Sequence, residues 1–149
     1  MSTTISSLNF NEDCGKSAQD AYNRFSKKFD WDTSVSSLFA PRRLLYAKAA
    51  TPEGYSPWFV AHSNFISDDD TNGLWKNTFQ KDMLYEEWLP ESKKHQHELR
   101  QDQTTRLVFA KKASGTYYFM GVYKVYDIKI ERENPVKIYK RISTTYPIA

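Results

Sequence analysis

The segment spanning residues 105–130, TRLVFAKKASGTYYFMGVYKVYDIKI, constrains the fold more than any other. Leu107 and Phe109 alternate with Arg106, Val108 and Ala110 along a first arm, and residues 112–116, KASGT, form a turn-prone break. The second arm is long, aromatic, β-branched and free of proline, which is the composition of a strand. Tyr117, Phe119, Gly121, Tyr123 and Val125 form one row; Tyr118, Met120, Val122, Tyr126, Ile128 and Ile130 form the other. Both rows start apolar, so that part of the hairpin is expected to be buried on both faces. Gly121 sits inside the strand, where glycine marks a bend, a bulge or a close backbone approach. A long strand bent at a glycine suits a small barrel.

The remaining chain is consistent with one domain over residues 1–149, long enough to bury a sizeable core. Aromatic residues make up 15% of it, so some rings are expected at the surface. The net charge of +3 is unevenly spread. Residues 65–100 carry five Lys/Arg against eight Asp/Glu, whereas residues 101–149 carry nine against four. A basic C-terminal third fits either a solvated strand face or a groove for a polyanion. Cys14 is the single cysteine; it excludes an internal disulfide and accords with a reducing, cytoplasmic setting. No apolar run approaches membrane-spanning length, and the start, MSTTISSLNFNEDC, lacks the pattern of a secretory leader.

Residues 1–11 are Ser/Thr-rich and expected to be flexible. Asp13 is placed to cap an amphipathic helix over residues 16–29, with Ala18, Tyr22, Phe25 and Phe29 on its apolar stripe. Strands are expected over residues 42–47 and 58–64, separated by the turn-rich residues 51–57. The run of Asp68, Asp69 and Asp70 heads a polar loop; it lacks the alternating spacing and distal glutamate of a calcium loop. Residues 74–88 carry Phe79, Met83, Leu84 and Trp88 at helical spacing, yet also fit two short strands around a turn at residues 80–82. Trp75, Thr78, Phe79 and Tyr85 favour the strands. Pro90 ends this element, and a final strand covers residues 136–143.

No nucleophile-and-base set, glycine-rich phosphate loop or metal-ligand spacing is visible, so no catalytic residue, metal or cofactor is assigned. His62 fits a core or rim histidine, or a donor lining a pocket. Glu86 and Glu87 are the carboxylates with the most apolar neighbours. Trp58, His62, Asn64, Trp75 and Asn77 fall on two segments separated only by the aspartate loop. If those segments converge, two indoles and several amides sandwich a planar base and read its edge. Lys124, Lys137, Lys140 and Arg141 are the cations placed to hold flanking phosphates. The competing reading makes the tryptophans core plugs and the asparagines turn closers.

The order of elements, together with Arg106, Val108, Phe109, Tyr118, Phe119, Gly121, Val122 and Tyr123 and the closing YKRIS, resembles the PUA-like superfamily of small, partly open β-barrels, which includes the SRA, EVE, YTH and ASCH types. The segment WFVAHS and the pair Trp75 and Asn77 add to it. The resemblance covers residues 42–143 and echoes barrels found with bacterial restriction enzymes and helicases. It implies an α+β fold: a partly open mixed β-barrel with the N-terminal helix packed on it. It also implies a non-catalytic nucleic-acid-binding module that takes an extruded or modified base into an aromatic pocket, DNA and RNA both remaining open. A protein partner would supply nuclease or helicase activity. Two alternatives stand beside it: an ASCH-like ribonuclease using Lys140 or Tyr139 in the same cleft, and a protein-interaction domain that uses the aromatic helix around Phe25.

Overall fold

The computed structural model describes residues 7–17, 20–21, 53–91, 103–131 and 133–147. Eight strands run through them: β1 (Ser7–Asn9), β2 (Ser56–Val60), β3 (Trp75–Gln80), β4 (Met83–Trp88), β5 (Arg106–Lys111), β6 (Tyr117–Lys129), β7 (Val136–Ser143) and β8 (Thr145–Pro147). Six of them form one sheet in the order β2-β5-β6-β7-β4-β3, and β1 pairs with β8 separately. The large sheet is mixed. β2 runs parallel to β5, and every other pairing is antiparallel. It curls into a half-barrel.

β6 produces the curl. Its first half pairs with β5 and its second half with β7, so it turns a corner between two partners. Val108 pairs with Gly121 but Phe109 pairs with Phe119, which leaves Met120 as an extra residue. Two further register shifts lie along its β7 side. Each bulge adds local twist and bends the strand. Gly121 has φ +123°, and a Cβ there would lie 2.6 Å from the Ser143 carbonyl oxygen and 2.6 Å from Arg141 Cδ. Glycine is needed at this point for both its backbone conformation and its lack of a side chain.

The expected double burial of the hairpin holds. Inside the curl, Val108, Ala110, Met120 and Tyr123 pack with Trp58, Val60, Phe79, Leu84 and Tyr139. On the outer side, Leu107, Phe109, Phe119 and Val122 pack with Phe59, Leu8, Cys14 and Tyr146. Phe59 stacks on Phe109 at 4.8 Å, and Tyr117 meets Phe59 edge-on at 5.6 Å. Each such ring, fully buried, contributes about 1.5–3 kcal/mol. The β1–β8 ribbon covers this outer face, so residues 7–9 are strand rather than flexible tail. Cys14 is a buried part of the same layer.

The edges of the curl meet through asparagine side chains. Asn64 lies in the loop after β2. Its Oδ1 accepts the Phe79 N–H at 2.9 Å, and its Nδ2 donates to the Phe79 carbonyl at 3.1 Å. One amide thus serves both polar groups of one β3 residue, as a neighbouring strand would. Asn77 Nδ2 returns a bond to the His62 carbonyl at 3.1 Å, and the Asn64 N–H reaches the Asn77 carbonyl at 3.3 Å. The outer edge of β3 is thereby covered instead of being left as an open template.

Residues 74–88 resolve as two strands, with Lys81 at φ 54° in the two-residue turn between them. The strand expected over residues 58–64 stops at Val60, because residues 61–64 turn to reach β3. Its start moves back to Ser56, inside the segment expected to be a loop. The strand expected at residues 42–47 lies outside the described residues. So does most of the helix expected over residues 16–29, and no helix element occurs among the described residues. At the expected start of that helix, Ser17 Oγ accepts the Asp20 N–H at 3.0 Å. Asp13 instead bridges to Tyr118 and accepts the Gly15 N–H.

Asn64→Ala removes both bonds to Phe79 and is expected to cost about 2–4 kcal/mol in urea unfolding; a loss below about 0.5 kcal/mol, the range of ordinary surface changes, contradicts the closure described. A second expectation concerns alkaline pH. Burial raises the pKa of the Tyr117 and Tyr123 phenols above 10.0. The folded state therefore holds those protons more tightly than the unfolded chain. The stability this gives is complete below pH 10.0 and is lost as pH rises through the folded values. Tyr123→Phe should make the alkaline decline in the urea midpoint shallower than in the wild type; an unchanged slope refutes this.

Candidate functional site

The seam where the loop after β2 meets β3 encloses a cavity of about 220 Å³. That lies below the range of about 300–1,000 Å³ typical of drug-sized ligands and is on the scale of one planar ring system. Trp58 and Trp75 both line it, with His62 and Asn77. Four of the five residues expected to form a base pocket are therefore brought together. The fifth, Asn64, is absorbed by the β3 clasp.

Local sequence explains how each group arrives there. Trp58 and Val60 alternate with Phe59 on β2 and face the inside of the curl. Tyr139 of β7 props the Trp58 indole, the ring centroids standing 5.1 Å apart at 56°. Trp75 opens β3, and the Asn72 side chain fixes that start: its Oδ1 accepts the N–H groups of both Leu74 (2.9 Å) and Trp75 (2.8 Å). Behind Trp75 lies Trp88, packed with Leu74 and Ile128. Both cavity indoles are nearly covered, Trp58 at 3% exposure and Trp75 at 6%. His62 stands at the rim, its side chain 45% exposed, with Nδ1 3.0 Å from Asp70 Oδ1. The aspartate loop thus supplies a partner that orients this imidazole.

The polar side of the cavity is a row inside the curl. Asn77 of β3, Glu86 of β4 and Lys137 of β7 stand in lateral register, and all three are buried. Side chains paired in this way sit roughly 4.5–5.5 Å apart at Cβ. Opposite charges in adjacent register are what a buried carboxylate and ammonium require. Glu86 Oε1 also accepts the Trp88 Nε1–H at 3.4 Å. The Asn77 amide is orientated by its donation to the His62 carbonyl, and its Oδ1 is buried without a hydrogen-bond partner among the described residues. A buried acceptor left open beside a cavity is a costly feature.

The four cations expected to hold phosphates divide among three settings. Lys137 is 1% exposed and belongs to the internal row, so it is not a surface phosphate contact. Its position directly opposite Glu86 is the physical reason. Lys124 and Lys140 pair across β6 and β7 on the exposed side, with Lys140 Nζ 5.7 Å from the Tyr126 ring centroid. Arg141 points the other way, to the end of the curl where β3 turns into β4. Phe59, Val60, Ala61, Asn72 and Glu86 also line the cavity and fall outside the expected pocket set. Asn72 reads in sequence as a turn former. Glu86 alternates with Leu84 and Trp88 on a buried row, a signal that was present in the sequence.

A family model described as the SRA (SET and RING associated) domain matches residues 16–148. No curated protein and no solved structure gives a match.

Proposed function

The chain belongs to the SRA domain family, a PUA-like fold family, and from that premise we propose that it is a non-catalytic nucleic-acid-binding module that reads an extruded or modified base. The cavity lined by Trp58, His62, Trp75 and Asn77 carries the reading. A base leaves its stack at a cost of a few kcal/mol and recovers it by stacking and by hydrogen bonds to its edge. Here the indoles supply stacking, worth about 1–3 kcal/mol per base. Asn77 and Glu86 form the polar side of the cavity and would meet the base edge there. His62, held by Asp70, stands where the base enters.

Affinity on the strand itself would come from the cations of the exposed sheet face. Lys124 and Lys140 sit side by side, and Tyr126 beside them is 64% exposed. Such contacts position a strand without reading it, and they weaken with salt as counterions are released. A partner bringing nuclease or helicase activity fits a module that reads but does not cut. The ribonuclease alternative gains no pair from the structure: Tyr139 is buried inside the curl, whereas Lys140 is exposed on the opposite face. Phe25 and the helix of the interaction reading lie outside the described residues.

Fluorescence anisotropy with plain and base-modified oligonucleotides tests this. Asn77→Ala should weaken binding to the preferred base by about 1–3 kcal/mol while leaving binding to unmodified strands nearly unchanged. Lys140→Ala should weaken all strands alike and lower the salt slope by about 1. Absence of binding to every DNA and RNA probe at low salt, or equal losses from both variants on all probes, overturns the reading.

A further inference from the structure

At the far end of β3 from the tryptophan cavity lies a second, larger cleft of about 550 Å³, and we propose that it binds a nucleoside phosphate, free or at the end of a strand. Its floor is apolar and aromatic: Phe79, Met120 and Phe65, the last stacked on Phe79 with centroids 4.8 Å apart. Two cations, Arg141 and Lys81, stand on its walls against one carboxylate, Asp82. The mouth is therefore cationic over rings, the combination that suits a planar group bearing an anion.

Arg141 is built into place rather than left to solvent. Its methylenes cross the space that the missing Gly121 side chain leaves open, since a Cβ there would sit 2.6 Å from Arg141 Cδ and 3.0 Å from Cγ. The guanidinium then lies 4.6 Å from the Phe10 ring centroid. Nη1 donates a long hydrogen bond of 3.4 Å to the Met120 carbonyl, and the guanidinium also acts on the buried Tyr123 hydroxyl, pulling its pKa down against the rise from burial. The backbone N–H of Arg141 bonds the Asp82 carbonyl at 2.7 Å, which ties the strand to the β3–β4 turn. A stacked guanidinium with donors still to spend is pre-organised for two-point contact with a phosphate. Below the same wall the Tyr123 hydroxyl is buried with no hydrogen bond of good geometry among the described residues. Phe10, 44% exposed, offers the remaining ring surface.

The site does not depend on the tryptophan cavity, and its test keeps the two apart. The full chain, labelled with ¹⁵N, is titrated with cytidine and adenosine 5′-monophosphates, with the two nucleosides, with inorganic phosphate, and with short strands with and without a 5′-phosphate. The nucleotides should shift the backbone amides of Lys81, Asp82, Met120 and Arg141 saturably. The nucleosides and inorganic phosphate should each bind about tenfold more weakly. Stronger shifts with 5′-phosphorylated strands than with free nucleotides identify the strand end as the ligand; the reverse identifies the free nucleotide. Arg141→Gln should weaken binding about tenfold, and Arg141→Lys should recover only part of it. Should Arg141→Gln unfold, Lys81→Gln in the exposed turn should weaken binding about threefold. Unmoved amides, equal affinity for inorganic phosphate, or wild-type affinity in the folded variants overturns the proposal. Shifts confined to the Trp58 and Trp75 indoles overturn it too, while leaving the base-reading function standing.

Discussion

The fold depends on how the two ends of the described sheet meet, and here an asparagine side chain joins them. The Asn64 amide meets both polar groups of Phe79 with bonds of 2.9 and 3.1 Å. A side-chain amide offers a carbonyl acceptor and an N–H donor in nearly the geometry of a peptide group, so it pairs with β3 as a neighbouring strand would. The bond returned by Asn77 to His62 makes the contact reciprocal. Asn77 also lines the cavity that holds Trp58 and Trp75. Closure and site are therefore one arrangement.

Curvature has a second source, in β6. The bulge at Met120 and Gly121 lets a single strand serve two partners. It also determines which face Arg141 can reach, because the Arg141 side chain occupies the room beside Gly121. Backbone irregularities placed next to functional groups are common where a strand must re-aim a side chain. In this chain the bulges of β6 and the asparagine contacts divide the inside of the curl. A polar row of Asn77, Glu86 and Lys137 and the tryptophan cavity lie toward one end; Arg141, Lys81 and the larger cleft lie toward the other.

Much of this was legible in the sequence where burial is two-sided or turn chemistry is strong. The double apolar rows around Phe119 predict a hairpin buried on both faces, and the internal glycine predicts a bend, a bulge or a close backbone approach, of which Gly121 shows a bulge and a close approach. The final strand over residues 136–143 coincides with β7. Less legible were features set by tertiary contact. Lys137 alternates with Tyr139 and Arg141 like a surface cation, and only its register opposite Glu86 reveals it as internal. Asn64 looks like a pocket donor because nothing local shows that Phe79, fifteen residues on, takes both ends of its amide. The β1–β8 ribbon was hidden because three-residue strands carry almost no periodic signal.

The central claim is that a base enters between Trp58 and Trp75. The most direct measurement follows the indole N–H resonances of the ¹⁵N-labelled chain, assigned by conservative Trp→Phe replacement, during titration with a duplex carrying one modified base. The account predicts that the Trp58 and Trp75 signals shift together, saturably, and more strongly than with the unmodified duplex. A duplex that binds tightly while both signals stay unmoved would contradict it.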